Sequence, residues 1–297
     1  MAKMSIKLQG AMVAIVTPFN RGQVDYDALG RLIEFQVAQG IQGIVPTGTT
    51  GESPTLSHEE HDRVIEFTVR KVARRVPVIA GTGSNSTAEA LRLTRQAKDA
   101  GADACLIVNP YYNKPTQQGM FEHVAALAKV GLPIVLYNIP GRCGVELAPE
   151  TIIRMYGEID EVVAVKEATG RLDVSSQLAA ECGITILSGD DSLTLPICSV
   201  GGQGVISVLA NILPAEVRKL TDAMLANDLA KATAQHKRLF PLFRAMFWET
   251  NPITIKAALA MAGMIQNELR LPMVPLSAKL RQPLAELLGQ YGVKAKA

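Results

Sequence analysis

Eight short apolar runs rich in β-branched residues punctuate the chain: 11–16 (AMVAIV), 43–46 (GIVP), 76–80 (VPVIA), 104–108 (ACLIV), 133–137 (PIVLY), 162–166 (VVAVK), 184–187 (ITIL) and 204–208 (GVISV). Runs this short and this continuously apolar predict parallel strands covered on both faces. The stretches between them have helical periodicity and recognisable ends. Ser57 with Glu60 and Ser86 with Glu89 fit capping boxes, Pro149 and Pro214 suit first helical positions, and Gly40, Gly101 and Gly131 fit helix C-termini. Eight strand–helix units predict an α/β fold closed into a (β/α)8 barrel, with a doubly wound open sheet as the alternative. No strand-like run follows Val208, and the tail, rich in Ala, Leu, Lys and Met, predicts helices. The expected division is a barrel over 1–229 and a C-terminal helical region over 230–297.

Composition narrows the class. Apolar residues make up 48% of the 297 and charged residues 20%, enough to build a large core. The net charge of +2 arises from 30 basic and 28 acidic residues scattered along the chain, which argues against a nucleic-acid partner. No run approaches the roughly 20 apolar residues that cross a bilayer, so no membrane association and a cytoplasmic setting are expected. Cys105, Cys143, Cys182 and Cys198 lack metal-ligand spacing and are expected reduced; no metal is expected. His58 and His61 lack the glutamate and spacing of a helical zinc motif and read as solvated helix residues.

In a barrel the chemistry sits where the strands end, and here the strand ends are polar: 47–52 (TGTTGE), 111–113 (YYN), Tyr137-Asn138, Lys166-Glu167 and 188–191 (SGDD). Strand alternation puts Val162, Ala164 and Lys166 on one face, which is otherwise apolar. Desolvation there favours a neutral amine, the form that attacks a carbonyl. A lysine paired with Glu167, Asp190 or Asp191 is the competing reading. Tyr137 closes the neighbouring strand, where its phenol could relay protons along a chain of hydroxyls with Thr49 and Tyr112, or simply pack. Gly48-Thr49-Thr50-Gly51 resembles an anion cradle without the ending of a P-loop, and Gly81-Thr82-Gly83-Ser84-Asn85-Ser86 reads as a tight turn. Arg142 has the shape for a two-point grip on a carboxylate.

Taken together, Thr17-Pro18-Phe19, Gly48-Thr49-Thr50-Gly51-Glu52-Ser53, Tyr111-Tyr112-Asn113, Tyr137-Asn138-Ile139-Pro140 with Arg142, Lys166-Glu167-Ala168-Thr169 and Ser188-Gly189-Asp190-Asp191 form an ordered pattern across nearly the whole chain. This pattern resembles the dihydrodipicolinate synthase family, within the pyruvate-dependent class I aldolases. The resemblance implies a lyase without a cofactor: Lys166 holds pyruvate as a Schiff base, and the enamine attacks L-aspartate 4-semialdehyde to give 4-hydroxy-tetrahydrodipicolinate in lysine and diaminopimelate biosynthesis. It implies that Tyr137, Thr49 and Tyr112 relay protons, with Tyr112 reaching across a subunit contact in a homotetramer built as a dimer of dimers. Thr50 and Ile206 match pyruvate-contacting positions, and Arg142 matches the residue that receives the semialdehyde carboxylate. Ser53, Leu56, His58, His61, Asn85, Glu89 and Tyr111 match positions lining a site for L-lysine as an inhibitor, with Glu89 placed for its amine. Pro54 departs from the alanine familiar there.

Two rivals share these features. An N-acetylneuraminate lyase or related sugar-acid aldolase would keep the barrel, lysine and tyrosine, but Arg142 suits a small carboxylate better than a polyhydroxylated chain. A non-catalytic keto-acid-binding barrel would have no use for a nucleophile.

Overall fold

The computed structural model describes residues 3, 4 and 6–295. Eight parallel strands, β1 (Gly10–Ala14), β2 (Ile44–Val45), β3 (Ile79–Gly81), β4 (Ala104–Val108), β5 (Ile134–Asn138), β6 (Val162–Glu167), β7 (Thr185–Ser188) and β8 (Gly204–Ser207), pair in the order β2-β1-β8-β7-β6-β5-β4-β3. The ring closes where Ile44 pairs with Val78: the Ile44 N–H donates to the Pro77 carbonyl and the Gly81 N–H to the Pro46 carbonyl, both at 3.0 Å. Closure makes this a (β/α)8 barrel rather than an open doubly wound sheet. At the β1–β8 seam a Cβ on Gly204 would stand 2.2 Å from the Gly10 carbonyl oxygen, so the strands meet there only through glycine.

Alternation sorts each strand between two cores. Met12, Ala14, Leu106, Val135, Tyr137, Leu187 and Ile206 share the cluster inside the barrel, while their neighbours Val13, Cys105, Leu136, Ile186 and Val205 face the helices. Strand β6 departs from the expected alternation. Its pairing with β5 runs from Ile134–Val162 to Val135–Ala164 and skips Val163, a bulge that turns both Val163 and Ala164 inward and leaves Val162 with the outer cluster. Lys166 still emerges inside, but above Ala164 and Val163 rather than Val162.

Helices α1 (Tyr26–Ala38), α2 (His58–Val72), α3 (Thr87–Asp99), α4 (Gln117–Ala128), α5 (Pro149–Glu158), α6 (Leu172–Glu181), α7 (Thr194–Ser199) and α8 (Pro214–Leu225) follow the eight strands in turn. The Ser57 hydroxyl accepts from the Glu60 amide (3.2 Å) and Glu60 accepts from the Ser57 amide (3.0 Å), the expected reciprocal box. At α3 the box is half formed. Ser86 accepts from the Glu89 amide at 3.4 Å, but the Glu89 carboxylate turns to His58 and Ser84 instead. Gly40, Gly101 and Gly131 follow α1, α3 and α4 with φ of +77°, +87° and +71°, conformations that cost a side chain energy and glycine little.

Three further helices, α9 (Leu229–Ala245), α10 (Ile253–Met261) and α11 (Ala278–Gly289), make up the C-terminal region, α9 starting one residue before the expected boundary. Their Ala232, Leu239, Phe243, Leu259, Leu284 and Leu288 share one apolar cluster with Val13, Ile33 and Leu220 of the barrel. Burial of Phe243 alone contributes about 1.5–3 kcal/mol. Helix α10 is enclosed all round, with every residue from Ile253 to Leu259 buried. Among the described residues no helix is long and apolar enough to cross a membrane, and no cluster of three or more acidic, histidine or cysteine side chains could hold a metal. All four cysteines are free, Cys105 and Cys143 buried and the other two half-buried.

Candidate active site

The strand ends converge on a cavity of about 530 Å³ lined by Thr47, Gly48, Thr49, Gly81, Tyr137 and Arg142, among others. Lys166, one residue before the end of β6, lies directly beside Tyr137 on β5, its register partner, and is only 6% exposed. Its Nζ lies 4.1 Å from the centre of the Tyr137 ring. None of the three carboxylates that could have paired with it does so. Glu167 accepts from the Thr169 amide (2.6 Å) and Asn138 (3.5 Å), Asp190 accepts from the Ser192 amide (3.1 Å), and Asp191 accepts from the amides of Val208 (2.9 Å) and Leu209 (3.0 Å).

Electrostatics follow from that isolation. Burial pushes the Lys166 amine down to about 8, opposed by the charge of Asp191 and assisted by that of Arg142. Burial pushes the Tyr137 phenol up to about 12, against the pull of Arg142 and the Thr49 hydroxyl, so it stays a proton donor at neutral pH. Burial also raises Asp191 and Glu167 above the usual carboxylate range despite their donors. An amine that is partly neutral near pH 7, next to a neutral phenol, can attack a carbonyl and receive the proton traffic that imine formation requires.

The Thr47–Glu52 turn carries two more of the expected residues. The amides of Gly51, Glu52 and Ser53 donate back into the turn, leaving those of Thr49 and Thr50 with no described acceptor and free for an anion. Thr50 is buried, and its hydroxyl accepts from Asn251 Nδ2 at 3.0 Å. The carbonyl of the same Asn251 accepts from Arg142 Nη2 at 3.3 Å. Arg142 sits on a single helical turn, Pro140–Cys143, at the mouth, with no acidic partner among the described residues. Ile206, like Lys166 and Thr50, is not among the residues that line the cavity; it packs inside the barrel in the same apolar cluster as Tyr137. Asn251 was not expected from the sequence, where it reads as an ordinary turn residue before Pro252.

Tyr112 is the one expected catalytic residue that the single chain does not bring in. It is 90% exposed, has a φ of +72°, and lies on an open groove with Lys114 and residues 140–144. Ser53, Leu56, His58, His61, Glu89 and Tyr111 line the cavity that Thr49 and Tyr137 line, while Asn85 stands behind it, donating to the Tyr111 carbonyl at 3.2 Å. His58 Nε2 meets Glu89 at 2.7 Å, and bonds from Ser84 and His58 hold that carboxylate below its usual range. His61 is not the solvated residue its helical position suggests. It is 4% exposed, lies 2.9 Å from the Gly81 carbonyl through Nε2, and burial lowers its pKa so that the ring is neutral. In the Gly81–Ser86 segment Gly81 ends β3 and the chain bends only at Asn85 and Ser86, just before α3. The glycines allow close backbone contact: a Cβ on Gly81 would be 2.4 Å from the Thr47 carbonyl oxygen, and one on Gly83 2.4 Å from the Val108 nitrogen.

A model of the dihydrodipicolinate synthetase family matches residues 7–291. The chain belongs to this family. Two relatives named 4-hydroxy-tetrahydrodipicolinate synthase are similar over nearly their full length. That of Syntrophus aciditrophicus is 52% identical over 288 residues, and that of Syntrophobacter fumaroxidans 54% identical over 289, each covering 96% of this chain and 99% of the relative. The dihydrodipicolinate synthase of Aquifex aeolicus superposes with a TM-score of 0.96 at 48% identity, covering 98% of this chain and 100% of that one. The chloride-inhibited synthase of Acinetobacter baumannii, solved in complex with pyruvate, gives 0.94 at 43%, covering 97% and 100%. The synthase of Cyanidioschyzon merolae with lysine bound gives 0.93 at 38%, covering 96% and 98%.

Holding the Lys166 amine buried without a bonded carboxylate costs the folded chain stability. A fall from 10.5 to about 8 corresponds to about 3 kcal/mol. Because the folded state binds the proton less tightly, the penalty is full below pH 8, shrinks as pH rises, and vanishes above 10.5. Lys166→Met is therefore expected to melt about 2–8 °C above the parent at pH 7, with the gap closing between pH 8 and 10.5. Equal midpoints at pH 7 in parallel thermal scans contradict an unpaired buried amine.

Proposed function

We propose that this chain condenses pyruvate with L-aspartate 4-semialdehyde to form 4-hydroxy-tetrahydrodipicolinate, through a Schiff base on Lys166. The observation that carries the reading is the buried, unpaired Lys166 amine set against Tyr137 at the barrel mouth. Its neutral form attacks the keto carbon of pyruvate, and loss of water leaves the iminium. Removal of a methyl proton then gives the enamine, whose carbon attacks the aldehyde and forms the new C–C bond. Attack of the semialdehyde's own amine on the imine carbon closes the ring and frees Lys166. Tyr137, kept protonated by burial, and Thr49 beside it move the protons.

Binding follows the same geometry. The amides of Thr49 and Thr50, which have no described acceptor, suit the pyruvate carboxylate together with the Thr50 hydroxyl, while Ile206 contributes only as part of the apolar layer packed with Tyr137. Arg142, with no acidic partner among the described residues, takes the carboxylate of the semialdehyde. Tyr112 completes the relay of a neighbouring copy, in keeping with its 90% exposure in the single chain, within a homotetramer arranged as a dimer of dimers. The pathway reading carries a cytoplasmic setting with it.

Steady-state assays of the parent, Arg142→Ala and Tyr112→Phe test this. Arg142→Ala is expected to raise KM for the semialdehyde by about tenfold or more and leave that for pyruvate nearly unchanged. Tyr112→Phe is expected to lower kcat by about tenfold or more. Faster cleavage of N-acetylneuraminate than condensation by the parent contradicts the choice of substrate.

Glu89 with His58, Ser53 and Tyr111 forms the polar wall of the same cavity, and we assign it to L-lysine acting as an inhibitor, the amine on Glu89. Millimolar lysine, about the range of a weak effector, is expected to slow the parent and not Glu89→Ala. Unchanged parental rates would remove this assignment.

A further inference from the structure

Beneath the Thr47–Glu52 turn lies a charge pair that the chemistry on Lys166 does not use. The turn is strained at both ends: Thr47 has a φ of +52° and Glu52 of +53°, a region such residues enter only when their surroundings hold them there. Its second half is tightly enclosed at Gly51, where a Cβ would meet the Thr47 nitrogen at 3.1 Å and the Ile15 carbonyl oxygen at 3.3 Å.

The restraint comes from helix α10. Lys256, fully buried in its centre, donates to Glu52 Oε1 at 2.5 Å and to the Thr17 carbonyl at 2.9 Å. The Thr17 hydroxyl in turn donates to the Gly51 carbonyl at 2.7 Å, and the second Glu52 oxygen accepts from the Arg270 amide at 3.1 Å. The Lys256 ammonium also stands 4.2 Å from the centre of the Phe19 ring. One cation thus reaches the turn at Glu52 directly and at Gly51 through Thr17.

A buried ion pair contributes little net stability, because desolvating both charges offsets their attraction and an apolar pair of similar volume packs as well. What it supplies that an apolar pair cannot is direction. We propose that Lys256 is a positioning residue for the condensation, fixing through Glu52 and Thr17 the turn that sets Thr49 beside Tyr137 and aims the Thr49 and Thr50 amides at pyruvate. The inference rests on the roles given above to Thr49 and Thr50. Arg142 lies in the loop after β5 and bonds to the Asn251 backbone rather than to Lys256, Glu52 or Thr17, so the clamp should govern pyruvate and spare the semialdehyde.

The test is steady-state kinetics with each substrate varied in turn, together with thermal melting, on the parent, Glu52→Gln/Lys256→Met and Thr17→Val. The double variant removes both charges and leaves neither buried alone; Thr17→Val is isosteric and cuts only the link to Gly51. Both are expected to raise KM for pyruvate, the double variant by about tenfold and Thr17→Val by about threefold, with kcat lowered and KM for the semialdehyde within about twofold of the parent. Unchanged pyruvate kinetics in a folded variant overturn the proposal, and so does an equal rise in both KM values, the mark of a generally loosened site. Should the double variant fail to fold, Thr17→Val decides alone by the same criteria. A parent that does not turn over these substrates overturns the functional reading instead.

Discussion

A closed ring of parallel strands satisfies every strand from both sides and leaves its interior to side chains alone. Eight strands give a bore that side chains fill, so a polar group inside it is tolerated only near the end, where the cavity opens. The Ile44–Val78 closure and the inward layer of Met12, Leu106, Val135, Leu187 and Ile206 are therefore what make the Lys166 site. They give the amine an apolar floor, withhold a counter-ion, and put Tyr137 beside it by register. The same closure makes the mouth a meeting point for loops far apart in sequence.

The second layer of organisation comes from the C-terminal helices. Asn251 touches both Thr50 and Arg142, and Lys256 holds Glu52, so the loops after β2 and β5 are braced by one segment around the start of α10. That segment is nearly all buried and shares its cluster with the barrel. The helical region is in this sense part of the site's scaffold rather than an outer cover. It ties the geometry of the mouth to the packing of a core some distance below.

Much of this is legible in the sequence because it is local. Eight apolar runs, the Ser57–Glu60 box and the glycines after α1, α3 and α4 each depend on neighbours a few residues away. What escapes is set by distant partners. The β6 bulge falls within Val162–Val165, where every residue is apolar, so nothing marks Val163 as the extra one. His61 lies on a helix face whose burial depends on the Gly81 backbone, and Glu89 leaves its own cap for His58. Lys256 in an otherwise apolar helix has its partner 204 residues earlier. Lys166 and Tyr137 stand out at strand ends, Thr50 in a glycine-bounded turn and Tyr112 as a link in a hydroxyl chain, but the proposed reach of Tyr112 across a subunit contact and the proposed lysine wall around Glu89 come only through family resemblance.

The central claim is that Lys166 bonds covalently to pyruvate, and borohydride reduction followed by intact-protein mass spectrometry reads that bond directly. The account predicts one pyruvate-derived adduct per chain on the parent and none on Lys166→Arg, which keeps the charge but cannot readily form the imine. It also predicts that adduct formation quickens as pH rises and levels off above about 8, where the amine is neutral. No adduct on the parent, or an adduct that persists on Lys166→Arg, would contradict it.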